Sequence, residues 1–218
     1  MLSKEQGECR SRRRCDTGHM ASSLSLFDAD VPPGFEHRED FITDAAEQHL
    51  LDAITEVTFS EFELRGVVAR RRVAFFGQSY DEAVSGPLPA FLAPLRAALG
   101  DWAGIEPDAF AMALINEYRP GTPIGWHRDA PQYGIVAGVS LSSSCRMKFR
   151  PYRPAGAVNA TRRSATHEVV LRPRSAYLLK GEARQAYEHH IPPVTELRYS
   201  ITFRTLRQAA RSGAPEPR

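Results

Sequence analysis

Lysine is nearly missing from this chain: of its 28 Lys and Arg residues only Lys4, Lys148 and Lys180 are lysines. Its positive charge is therefore guanidinium charge, which suits forked hydrogen bonding to carboxylate or phosphate better than a mobile ammonium does. Cysteine is equally sparse. Cys9 and Cys15 lie in a polar N-terminal stretch and Cys145 stands alone further on, an odd set that builds neither a disulfide framework nor a zinc knuckle. Retained thiols fit a reducing compartment, so a cytoplasmic protein is expected. No apolar run reaches the length a bilayer-crossing helix needs, and no apolar stretch follows Arg12 to Arg14 as a secretory signal requires. No membrane partner is expected. Repeats and any conspicuous interface pattern are absent too, and a monomer is the expectation. A large charge of one sign is also lacking. The formal net charge is +2; residues 1–20 carry five Lys/Arg against three Asp/Glu and residues 207–218 three Arg against one Glu, which leaves the centre at about −2. Global electrostatics does not announce a nucleic-acid binder.

What is present suffices for one core, with 42% hydrophobic residues in 218. Residues 1–22 are arginine-rich and aperiodic and read as a disordered or non-native tail, with Gly18-His19-Met20 resembling a cloning scar. Residues 207–218 read as a flexible C-terminal tail, and residues 23–206 as the single domain. Apolar residues at helical spacing predict a helix from Asp44 to about Val57, capped by Thr43 or Asp44. A second helix is expected over Pro89 to Leu99, with Leu92, Leu95, Ala98 and Leu99 inward and Gly100 ending it. Strands are expected near 111–118, 125–128, 135–142, 146–150, 167–171, 176–180, 186–191 and 198–205. Helices first and many short strands afterwards indicate α+β, with a double-sheet jelly roll as the main body and flanking N-terminal helices.

Two separated stretches carry chemistry. Gly125-Trp126-His127-Arg128-Asp129 offers an imidazole and a carboxylate two residues apart, on one face if the segment is extended. A His-x-Asp tripeptide alone is weak evidence. Far downstream come His189-His190-Ile191 and Arg198-Tyr199-Ser200-Ile201-Thr202-Phe203-Arg204, in which Arg198, Ser200, Thr202 and Arg204 share one strand face. Two imidazoles and a carboxylate can occupy one face of ferrous iron and leave the other open. With these motifs the chain resembles the AlkB family of Fe(II)- and 2-oxoglutarate-dependent dioxygenases, over roughly residues 24–206. The resemblance implies the double-stranded β-helix fold, with His127, Asp129 and His189 as iron ligands. It also implies that Arg198 binds the distal carboxylate of 2-oxoglutarate and that Arg204 lies by Asp129 as part of the catalytic set. In Asn116-Glu117-Tyr118-Arg119-Pro120-Gly121 the family's Asn-x-Tyr-x-x-Gly spacing implies that Asn116 and Tyr118 contact the cosubstrate. Ser200 stands where family members often carry Asn, and Ser140-Leu141-Ser142 replaces a frequent Ser-Leu-Gly. His190, on the opposite strand face from His189, is the alternative ligand.

Substrate contacts are expected outside the iron motif. Arg70-Arg71-Arg72 followed by Phe75-Phe76-Gly77-Gln78-Ser79-Tyr80 mixes cations with aromatics; Phe76 and Tyr80 look like lid residues of the family, able to stack on a displaced base. Phe75 is assigned to the core and Arg70 to Arg72 to a solvated turn. Trp126 is placed at the pocket wall or in the barrel, and Tyr133 at the rim. The activity implied is oxidative demethylation of alkylated DNA or RNA bases, single-stranded or flipped, as in DNA repair. It would use Fe(II), 2-oxoglutarate and O2 and yield formaldehyde, succinate and CO2. Two alternatives stay open: a hydroxylase or demethylase of a protein or small molecule with the same iron site, and a non-enzymatic ligand-binding barrel.

Overall fold

A computed structural model of the protein describes residues 31–64, 67–78, 84–154 and 166–207. The elements in chain order are β1 (Phe35–Arg38), α1 (Asp44–Thr55), β2 (Ser60–Leu64), β3 (Val67–Gln78), β4 (Val84–Ser85), α2 (Ala93–Ala103), β5 (Phe110–Tyr118), β6 (Ile124–His127), β7 (Tyr133–Leu141), β8 (Cys145–Pro151), β9 (His167–Leu171), β10 (Ala176–Leu179), α3 (Gly181–Gln185), β11 (Tyr187–Ile191) and β12 (Arg198–Leu206). They build a jelly roll. The major sheet runs β1-β10-β7-β12-β5-β3-β2 with β4 on β3, and the minor sheet β6-β11-β8-β9, with every pairing antiparallel.

Strand alternation gives each face of the major sheet its own job. Ile201 and Phe203 of β12, Ala113 and Ile115 of β5, Ala137, Val139 and Leu141 of β7 and Ala74 of β3 pack with Leu50 and Ile54 of α1, Leu92, and Leu95 and Leu99 of α2. Val136 of β7, Tyr177 and Leu179 of β10 and Tyr118 of β5 turn the other way, towards Met147, Phe149, Val169, Leu171 and Ile191 of the minor sheet. The polar face of β12 therefore looks into the space between the sheets.

Helix ends follow their local chemistry. Thr43 is the N-cap of α1, its hydroxyl accepting from the Ala46 amide at 3.2 Å. Buried Glu47 accepts from the Ser142 amide at 2.8 Å, which ties α1 to the end of β7. The second helix departs from expectation at both ends. Ala90–Leu92 is a 3-10 turn, Pro94 occupies the first turn of α2, and the helix runs past Gly100 to Ala103. Gly104, at φ 69°, is the residue that stops it. Gly100 is instead a packing glycine: a Cβ there would stand 3.1 Å from the Ile105 carbonyl oxygen. Ala98 faces solvent, not the core.

The larger correction concerns Ser60 to Ser85, where no strand was expected. β2 and β3 extend the major sheet beyond β5, and Arg70 to Arg72 are strand residues, not a solvated turn. The three consecutive arginines hide an amphipathic strand that also carries Val73 and Phe75. Residues 1–22 and most of 207–218, expected as tails, and Tyr80 lie outside the described residues.

Candidate active site

Register assembles the site. β11 runs antiparallel to β6 with His189 directly opposite His127, and their rings are 4.2 Å apart between centroids. Asp129 lies two residues beyond the end of β6. From the facing sheet Arg204 of β12 reaches it, Nε at 2.9 Å and Nη2 at 2.8 Å, both on Oδ1. The other carboxylate oxygen, Oδ2, is 3.8 Å from His189 Nε2. Among the described residues no three His, Cys, Asp or Glu side chains are already closed around one coordination point. The 3.8 Å between Oδ2 and Nε2 nevertheless suits a shared cation, because two atoms each about 2.1 Å from one first-row ion stand at most about 4.2 Å apart. His127 Nδ1 donates to the Gly125 carbonyl at 2.9 Å, which leaves Nε2 with a lone pair, the arrangement metal-binding imidazoles use.

Electrostatics also favours a cation here. Burial pushes the His189 imidazole down to about 3, with His127 adding to it and Asp129 opposing. His127 is likewise lowered, first by burial. Both rings are thus neutral at neutral pH, the form in which an imidazole can bind a cation. Burial works against ionising Asp129, yet Arg204, His189 and His127 together hold its carboxyl well below the usual range.

Further along β12 the pocket is built for an anion. Arg198 is 1% exposed, donates through Nε to Ser140 Oγ at 3.2 Å and lies over the Tyr118 ring at 4.9 Å. Its Nη1 is buried and has no hydrogen-bond partner among the described residues, a costly state for a charged donor unless an anion meets it. Asn116 donates to Ser200 Oγ at 3.3 Å and accepts from Arg71 Nε at 3.1 Å. Arg71, Asn116, Tyr118, Tyr177, Arg198, Ser200, Thr202 and Arg204 line one cavity with His127, Asp129 and His189, about 40 Å³ in volume. Three guanidiniums there face one carboxylate. A more open groove of about 810 Å³ lies between α1 and β3, lined by Val57, Phe75, Phe76 and Phe91 among others, with Glu56 its only ionisable residue among the described ones.

The expected site residues fall into two groups. His127, Asp129, His189, Asn116, Tyr118, Arg198, Ser200 and Arg204 converge. The substrate set does not. Phe76 packs on the helix-facing core, and Phe75 shares the interior face of β3 with Arg71 and clusters with Val73, Met112, Leu114 and Tyr133. Trp126 points away from the cavity, as the neighbour of His127 on a strand must. It stacks on His190 at 5.0 Å beneath Arg150 at 4.3 Å, on the outer face of the minor sheet. Tyr133 is buried 5.6 Å from the Arg204 guanidinium, in the cluster with Val73, Met112 and Leu114 and not at the rim. His190 faces outward with Nδ1 2.5 Å from the Ile124 carbonyl.

Three residues of this neighbourhood were not anticipated. Arg71 was readable from its alternation with Val73 and Phe75 once β3 is seen as a strand. Tyr177 sits in an all-apolar run that gave no reason to single it out. Arg184 of α3 donates to the carbonyls of Ala130 and Tyr133 at 2.5 and 3.1 Å, bracing the loop that carries Asp129; nothing local in the sequence signals this.

Comparison with known proteins agrees with this geometry. The family model described as 2OG-Fe(II) oxygenase superfamily matches residues 38–204. The chain is 28% identical over 195 residues to the uncharacterized protein L905 of Acanthamoeba polyphaga mimivirus, covering 79% of this chain and 85% of that one. It is also 28% identical over 196 residues to the alkylated DNA repair protein ALKBH8 homolog of Arabidopsis thaliana, covering 78% of this chain; it spans about half of that protein, 54%. Among solved structures OsALKBH1 superposes with a TM-score of 0.54 at 14% identity, over 79% of this chain and 98% of that one, a likeness of fold.

Proposed function

The chain belongs to the 2OG-Fe(II) oxygenase superfamily, and on that premise we propose that it is an AlkB-like dioxygenase that oxidatively demethylates alkylated nucleic-acid bases. The observation that carries the cosubstrate half of this reading is Arg198: a buried guanidinium whose Nη1 has no partner among the described residues, lining the same cavity as the His127, Asp129 and His189 cluster. In this reading those three side chains hold ferrous iron, and Arg198, with Tyr118 and Asn116, holds the distal carboxylate of 2-oxoglutarate. The excess of guanidinium over carboxylate matches a dianion. Bound iron supplies the oxidation of a substrate C–H bond by dioxygen, coupled to decarboxylation of 2-oxoglutarate to succinate.

The protein's own residues do the positioning. Arg204 neutralises Asp129 and leaves Oδ2 towards His189, so one carboxylate oxygen is fixed and the other available. The cavity of about 40 Å³ is filled by long side chains, and a five-carbon dicarboxylate is accommodated as those side chains rotate. The buried walls exclude water from the reacting methyl group. Hydroxylation of an N-methyl group gives a hemiaminal that breaks into the free base nitrogen and formaldehyde. The name of the Arabidopsis relative supports a nucleic-acid substrate, and the arginine-rich composition suits phosphate.

The test is a panel of methylated DNA, methylated RNA and methylated peptide, with iron, 2-oxoglutarate and oxygen supplied. Stoichiometric formaldehyde and succinate from an oligonucleotide is the expected result. Turnover of the peptide alone would replace the nucleic-acid reading, and no succinate with any partner would reject the dioxygenase itself. In the same assay Arg198→Lys raises the 2-oxoglutarate KM strongly, because an ammonium cannot reproduce a fork.

A further inference from the structure

Tyr177 lies directly across the strand rows that form the cavity floor. On the major sheet Tyr177 of β10 pairs with Gly138 of β7, Gly138 with Thr202 of β12, and Thr202 with Leu114 of β5. These four are neighbours in one row on the interior face. Any side chain at the second position would block the first from reaching over it. A Cβ built on Gly138 would stand 2.6 Å from the Tyr177 hydroxyl oxygen and closer still to the ring. With glycine there, the phenol crosses β7 and lies against its backbone, aimed at β12. Thr202, towards which it points, accepts from Arg204 Nη1 at 3.0 Å.

The phenol is 6% exposed and lines the cavity with Arg198 and Arg204. Burial, then Asp129 and Tyr118, raise its ionisation above the ordinary phenol range, against the pull of Arg198 and Arg204. It stays a donor at all working pH. A neutral donor in the cavity it shares with Arg198 can meet the anion that guanidinium holds.

We infer that Tyr177 is a cosubstrate-binding residue: its O–H donates to a carboxylate oxygen of the dicarboxylate that Arg198 holds, and Gly138 is the glycine that lets it do so. This inference rests on the 2-oxoglutarate reading above.

Calorimetric titration of 2-oxoglutarate into the protein loaded with Mn(II) under nitrogen tests it without turnover. Tyr177→Phe keeps the ring and removes the donor, so the dissociation constant is expected to rise about tenfold, the loss of one hydrogen bond to a charged acceptor. Mn(II) affinity measured beforehand is expected to stay unchanged. Gly138→Ala pushes the phenol off the floor and should weaken binding at least as much. A dissociation constant for Tyr177→Phe within twofold of the parent overturns the assignment. So does an equal loss of Mn(II) affinity, which would put the hydroxyl at the metal-ligand side. If the unmodified protein with Mn(II) fails to bind 2-oxoglutarate, the parent reading falls instead.

Discussion

Arg204 spends two of its N–H groups on a single oxygen of Asp129, at 2.9 and 2.8 Å on Oδ1, and leaves Oδ2 facing His189. A carboxylate pinned this way cannot swing to chelate symmetrically, and its charge is held against burial. In the proposed iron site its role is to orient a ligand from behind. Arg204→Met removes both bonds and lets the carboxyl rise towards protonation. Mn(II) affinity, followed by electron paramagnetic resonance titration, is expected to fall by roughly 10–100-fold, the usual cost of losing a partner that orients a metal ligand. Unchanged affinity would mean that Asp129 is oriented by something else.

Metal-free protein should be acid-sensitive in a defined window. His189 is pushed down to about 3 and His127 is also lowered, both first by burial, whereas in the unfolded chain both titrate near 6.5. Between those values the unfolded state binds more protons, so stability falls as pH drops from about 6.5 towards 3 and is full above it. Asp129, held below its ordinary range, adds a further loss below about pH 4. Thermal midpoints should be level above pH 7 and decline below 6.5, with His189→Gln giving a flatter curve. A midpoint independent of pH from 7 to 5 would contradict the neutral, buried imidazoles.

The pattern of what could be read in the sequence has a physical cause. Strands β5 to β12 were legible to within two residues because their alternation is clean; β12 shows Arg198, Ser200, Thr202 and Arg204 against Ile201 and Phe203. Of the proposed iron and carboxylate-binding residues all but Asp129 sit on those strands, and Asp129 lies two residues past β6, so strand register carries them together. β3 was missed since three consecutive arginines look like a solvated turn, although Arg71 goes inward to Asn116 and Arg72 outward to Glu117 at 2.7 Å. Without that strand Phe76 reads as a lid residue, whereas it packs on the helix-facing core; Phe75, expected in the core, does pack against a buried cluster. Arg184 and Tyr177 act on distant strands, through contacts no local pattern encodes.

Those two phenylalanines give a paired test. Phe75 shares its strand face with Arg71 and clusters with Leu114, which lines the cavity, whereas Phe76 packs on the core beneath the helices. Phe76→Ala should cost stability, about 3 kcal/mol at most for a half-buried ring, with kcat/KM per folded molecule near that of the parent. Phe75→Ala should lower substrate turnover more than it lowers 2-oxoglutarate decay without substrate. Denaturant titration beside the formaldehyde assay separates the two. The reverse assignment of effects would restore Phe76 to the lid.

Arg184 makes the short helix α3 a brace between the two halves of the metal cluster. Four residues after its last residue comes His189, so α3 fixes where β11 begins. From the other side Arg184 Nη2 grips the carbonyls of Ala130 and Tyr133, and Arg128 Nη1 donates to the Gln185 carbonyl at 3.0 Å. The loop bearing Asp129 is therefore tied to the helix leading into His189. Arg184→Met keeps most of the aliphatic volume and removes the grip. Its expected effect is on ligand preorganisation: weaker Mn(II) binding, by about tenfold, with 2-oxoglutarate affinity at saturating Mn(II) close to normal. Arg184→Lys, which can reach one carbonyl, should recover part of the loss. If Met weakens metal and cosubstrate alike while Lys rescues neither, Arg184 serves the packing of β7 and α3 and not the placement of Asp129.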